Sequence, residues 1–160
     1  MTHHPINRRS VLGAGVAGLA AASGLAQAQT GPIRIGSTLA LTGPLAATAQ
    51  VHKLVGEIYI EQANKRGGWL GRQLEWVLKD DQSKPDLART LYEQLVTADK
   101  VDLLMGPYAT GAILSAMGVA QRYDKVLVHH TLGVPSLAKY ERAFPAWSLG
   151  SEPGTTVPNT

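Results

Sequence analysis

Three glycines near the start have the spacing that dinucleotide chemistry uses. Gly13, Gly15 and Gly18, within Val11-Leu12-Gly13-Ala14-Gly15-Val16-Ala17-Gly18-Leu19, match the pattern that brings a helix N-terminus against a pyrophosphate. Such a site also needs a strand leading in and an acidic residue about twenty positions on to hold the ribose. Upstream stands only the polar Met1 to Ser10, and the first carboxylate of the chain is Glu57. The supports are missing, so an oxidoreductase using Gly13 to Gly18 is the weaker reading, and no flavin, nicotinamide or other cofactor is expected.

The same residues read as an export signal. A polar start ends in Arg8-Arg9, an uncharged stretch runs from Ser10 to Ile33, and Ala26-Gln27-Ala28 is a small-x-small cleavage site. Twin arginines point to the Tat route and hence to a periplasmic protein. Four glycines dilute the apolar stretch, which makes it too weak for a membrane anchor. Loss of residues 1–28 removes Arg8 and Arg9 and no acid, so the formal charge falls from +3 to +1. The basic balance thus belongs to the leader, which argues against a nucleic-acid partner.

Other reactive residues lack partners. There is no cysteine, which excludes thiolate nucleophiles, thiolate metal sites and disulfides. Asp80-Asp81 have no third acid nearby and read as turn formers and helix-start residues rather than a calcium or acid/base pair. His129-His130 are neighbours on a strand, so they face opposite sides of the sheet and cannot share a metal. His52 reads as a solvated helix position. Ser115 and Ser136 have no His and acid at hydrolase spacing. No catalytic or metal residue is assigned, and the chain is not read as an enzyme.

The elements that would position any site alternate. Ile33 to Leu41 reads as a buried strand ending at Thr42-Gly43-Pro44, and Val51, Leu54, Val55 and Ile58 fall on one helix face directed at the core. Gly67-Gly68 stops that helix. Arg72 to Lys79 alternates as a second strand. Ser83-Lys84-Pro85-Asp86 opens a helix with Ser83 as cap candidate and Leu87, Leu91, Leu95 and Val96 inward. Val101 to Met105 is a third strand, Ala112 to Tyr123 a helix with Ile113, Met117 and Ala120 inward, and Lys125 to His130 a fourth strand. Phe144 to Trp147 offers a fifth. This order predicts an α/β fold: an open, mainly parallel sheet with helices on both faces and a ligand site beyond the carboxyl ends of the strands. The loops to watch are Leu41 to Thr48, Gly106 to Gly111 and Thr131 to Leu137.

With those loops placed, four phrases in order carry a likeness: Leu41-Thr42-Gly43-Pro44, Ala63-Asn64-Lys65-Arg66-Gly67-Gly68 with Gly71-Arg72, Asp80-Asp81, and Gly106-Pro107-Tyr108-Ala109-Thr110. The sequence resembles the type I periplasmic binding proteins of ABC importers, of the branched-chain amino-acid kind, over about Ile33 to Leu149. The resemblance implies a two-lobed clamp that captures an amino acid or similar small carboxylate and hands it to an ABC permease in the membrane. With the leader read at residues 1–28 as a signal peptide, it makes 29–149 most of an N-terminal ligand-binding lobe and 150–160 the start of a truncated linker. It also places Ala109 and Thr110 at the ligand's carboxylate, with Thr131 and Gly133 as backbone contributors from the next loop. Tyr108 either lies against the solute or packs the cleft wall. Thr110 is expected at the cap of the third helix. A sensing receptor of the same fold is the alternative role.

Overall fold

The computed structural model describes residues 31–130 and 139–146. The leader, Thr131, Gly133 and the segment 150–160 lie outside the described residues. Among the described residues, five strands and three helices follow in the order β1 (Ile33–Leu39), α1 (Ala46–Lys65), β2 (Leu74–Asp80), α2 (Pro85–Thr97), β3 (Leu103–Met105), α3 (Thr110–Arg122), β4 (Leu127–His129) and β5 (Ala143–Pro145). All neighbouring strands pair in parallel, in the order β2-β1-β3-β4-β5. The expected open parallel sheet is what forms.

Side-chain alternation along the strands builds two cores. On one face, Trp76 and Leu78 of β2 pack with Leu39, Ala40 and Ala49. On the other, Val77 packs against a cluster of Tyr92, Leu95, Val101, Leu104, Ile113, Met117 and Leu127, which joins α2 and α3 to the sheet. The predicted inward residues Ile113, Met117 and Ala120 are all buried.

α1 departs from expectation. Val51, Leu54, Val55 and Ile58, read as its core face, are exposed at 61, 58, 61 and 46%. The helix instead rests on small residues: Ala49 and Ala63 are its buried positions, and Gly56 lies so close to the Trp76 ring that a Cβ there would meet it at 2.6 Å. A large aromatic on the strand selected the flattest face of the helix, and the branched residues became its flank. A second correction concerns α2. Pro85 sits in its first turn as expected, but the cap position is Lys84 and no side chain caps it. Ser83, in the left-handed region at φ 62, turns away and bonds across to the β1–α1 loop.

Candidate functional site

β1 and β3 are adjacent in space while their connections run to opposite sides, so the crevice beyond their carboxyl ends is where an open α/β sheet receives ligands. One wall is the loop after β1. Thr42 donates its hydroxyl to Asp80 Oδ2 at 2.7 Å and its N–H to Oδ1 at 3.2 Å, while Ser83 Oγ accepts from Leu45 N–H at 3.1 Å and donates to the Thr42 carbonyl at 3.2 Å. Gly43 makes this contact possible. It takes φ 88, and a Cβ there would lie 2.7 Å from the Gln82 carbonyl oxygen. Asp80 and Asp81 each also accept an N–H two residues on, from Gln82 and Ser83, which makes them turn formers as read. Burial works to raise the Asp80 pKa, but the hydrogen bonds from Thr42, Gln82 and Leu41 together hold it below the usual value. Burial dominates at Asp81 and pushes its pKa up, against the opposing bonds from Thr38 and Ser83.

The second wall is the loop from Gly106 to Thr110. Gly106 donates to the Val128 carbonyl at 2.6 Å, and a Cβ on it would come within 2.8 Å of His129 Cβ, so only glycine allows this approach. α3 then begins at Thr110, with its first helical bond running from Ile113 N–H to the Ala109 carbonyl at 3.0 Å. The expected Thr110 cap is therefore displaced by one: Thr110 is the first helical residue, and the cap position is Ala109, which has no side chain to cap with. Ala109 holds φ 78 and ψ 139, a region that residues with a Cβ rarely enter and that costs of order 1–3 kcal/mol. The turn so made leaves the N–H groups of Thr110, Gly111 and Ala112 without helical acceptors at the positive end of the helix dipole. That is an anion-binding arrangement, and neither this loop nor the loop after β1 contains an acid.

Tyr108 has a defined neighbour. Its ring lies 5.2 Å from that of His52 on α1, and His52 lies 4.7 Å from His130, just past β4. His52 is thus a partly buried cleft residue rather than a solvated one, held by a 2.9 Å contact between Nδ1 and the Thr48 carbonyl. His129 turns into the protein, 1% exposed, as alternation along β4 requires. Burial, with the neighbouring imidazoles His52 and His129 adding to it, drops the His130 pKa to about 4, and burial lowers that of His129. Among the described residues no three His, Cys, Asp or Glu come together to hold a metal. A cavity of about 450 Å³ beside this cluster is lined by Val51, Val55, Tyr59, Trp76 and Met105 among others.

Tyr92 is the residue that sequence reasoning missed. Leu91 and Leu95 drew attention at helical spacing, whereas Tyr92 and Ala88 are the residues 0% exposed beside Leu95. An aromatic with a hydroxyl at the core-facing position between two leucines was the available signal.

The profile of the periplasmic binding protein family matches residues 32–159. The chain is 31% identical over 114 residues to the chemotactic signal transduction system substrate-binding protein BasB of Halobacterium salinarum, covering 70% of this chain and 28% of that one. It is 29% identical over 107 residues to the Leu/Ile/Val-binding protein BraC3 of Rhizobium johnstonii, covering 67% and 29%. In structure it is similar to the branched-chain amino acid transporter substrate binding protein LivJ of Streptococcus pneumoniae in complex with isoleucine, with TM-score 0.71, 28% identity and coverage of 75% and 35%. The chain therefore spans about a third of the length of the proteins it matches.

Proposed function

Because the chain belongs to the periplasmic binding protein family, we propose that it is the capturing lobe of an exported ABC-importer receptor whose solutes are amino acids or similar small carboxylates. The observation that carries this reading is the strained Ala109, which aims a free helix N-terminus into the crevice at the sheet's switch point. In it, the first-turn amides at Thr110 and the backbone at Ala109 take the solute's carboxylate, Thr131 and Gly133 add groups from the following loop, and Tyr108, its ring tilted against that of His52, walls the cleft. Relatives that bind leucine, isoleucine or valine support the solute class. Export through the twin-arginine leader and docking to an ABC permease complete the proposal.

The test is thermal: a full-length receptor carrying this sequence is melted with amino acids, amides and small organic acids. A ligand that binds only the folded state raises the Tm, by an amount that grows with concentration above Kd. No shift with any of them refutes the reading. A role in sensing has its own support in the likeness to the chemotactic protein BasB; the same receptor would then report occupancy to a transducer instead of a permease. Pull-down of a permease or of a signalling protein from membranes separates the two.

A further inference from the structure

The sheet divides at one place. β1 remains paired with β2 as far as Leu39 and Asp80, but its pairing with β3 stops at Ser37 and Met105. β3 meanwhile stays joined to β4 through the bond from Gly106 N–H to the Val128 carbonyl. Among the described residues the crevice thus opens between β1 and β3, one residue before the loop that starts at Gly106. At that point stands the Tyr92 hydroxyl, brought in by α2 with its side chain wholly buried. It accepts from Thr38 N–H at 3.3 Å and donates to the Met105 carbonyl. Thr38 in turn donates its hydroxyl to Asp81 Oδ2 at 2.7 Å.

We propose that Tyr92 is a positioning residue for ligand capture: its hydroxyl bridges the backbones of β1 and β3 at their last paired residues, pins the two strand ends together, and so fixes where the Gly106–Thr110 loop begins. The bridging atom must both accept and donate, which a hydroxyl can do, and the phenol ring is a rigid arm long enough to bring it from a helix. Burial pushes the phenol pKa well up, so the hydroxyl stays a donor at every working pH. Thr38 and Asp81 hold the β1 side of this bridge, and the Gly106 amide bond to Val128 holds the β3 side. This inference deepens the proposed function and rests on it for its ligand.

The experiment replaces Tyr92 by Phe and, as a control for stability alone, Val119 by Ala, which deletes buried methyl groups at a site far along α3. Amide hydrogen exchange is read in the chain, and isoleucine affinity is read in a full-length receptor carrying it. The proposal expects Tyr92→Phe to speed exchange at Thr38 and Gly106 beyond the general loss seen in Val119→Ala, and to weaken isoleucine binding by about tenfold while the control leaves Kd unchanged. Equal exchange and equal affinity in the two variants would overturn it, since Tyr92 would then only fill the core. If the wild type binds no amino acid, the functional reading fails, and exchange at Thr38 still decides the role of Tyr92. Should Tyr92→Phe not fold, the wild-type NMR spectrum decides: a slowly exchanging Tyr92 hydroxyl proton with contacts to the Thr38 amide supports the bridge, and a rapidly exchanging one refutes it.

Discussion

The imidazoles of His52 and His130 lie 4.7 Å apart, ring centre to ring centre, although 78 residues separate them. One comes from the second turn of α1 and the other from the end of β4, so their contact measures how well the helix is seated on the carboxyl edge of the sheet.

The protonation of His130 should therefore govern acid stability. His130 is held neutral in the fold, with its pKa down at about 4, first by burial and then by the His52 and His129 imidazoles. A depressed pKa contributes stability that is fully present above the unfolded value of about 6.5 and is lost as pH falls through that window towards 4. Denaturant midpoints measured from pH 7.5 to pH 4 should fall, and His130→Gln should flatten the decline. His129, also lowered, leaves a residual slope. An unchanged slope in His130→Gln would contradict the assignment.

Thr38→Val should cost about 1–3 kcal/mol, because it leaves the buried Asp81 carboxylate without its 2.7 Å hydroxyl donor. Asp81 already has a raised pKa, so it contributes stability that is present at low pH and lost as pH rises through its folded value. The deficit of Thr38→Val should accordingly shrink as pH is lowered. Paired urea titrations at two pH values check both the size and the sign.

Ala109 adopts a backbone conformation suited to glycine. Relief of that strain should offset the entropy that glycine adds to the unfolded chain, so Ala109→Gly should match or exceed the wild-type Tm. Ala109→Val should lose about 1–3 kcal/mol, since a branched residue is more crowded still at positive φ. Thermal melts of both variants are sufficient.

The flank of α1 leaves Val51, Leu54, Val55 and Ile58 exposed along one stripe. Contiguous apolar surface of this kind promotes association. Sedimentation of the purified chain should show concentration-dependent oligomers, and Val55→Lys should shift the population towards monomer. Identical behaviour of the two proteins would mean the stripe is not what associates.

Strand and helix order was legible because buried parallel strands read as short apolar runs and the helices between them carry clear starts and stops: Pro85 opens α2, and Gly67-Gly68 follow α1. The face of α1 was not, since periodicity marks the most apolar side of a helix and Trp76 seated the least bulky one. Loop chemistry was half legible. Hydroxyl residues favour cap positions, which points to Thr110, but the turn is made by backbone strain at Ala109, which no residue type announces. Tyr92 and the His52–His130 contact depend on long-range register between elements, which spacing within one element cannot encode.

In the function proposed above, the first-turn amides of α3 hold the solute's carboxylate. The most direct test of this is an ¹⁵N NMR titration of a full-length receptor carrying this sequence with isoleucine and, separately, with isoleucinamide. Isoleucine should move the amide resonances of Thr110, Gly111 and Ala112 more than any others on this lobe, and isoleucinamide, lacking the charge, should leave them in place. Isoleucine binding with those three amides unmoved would contradict it.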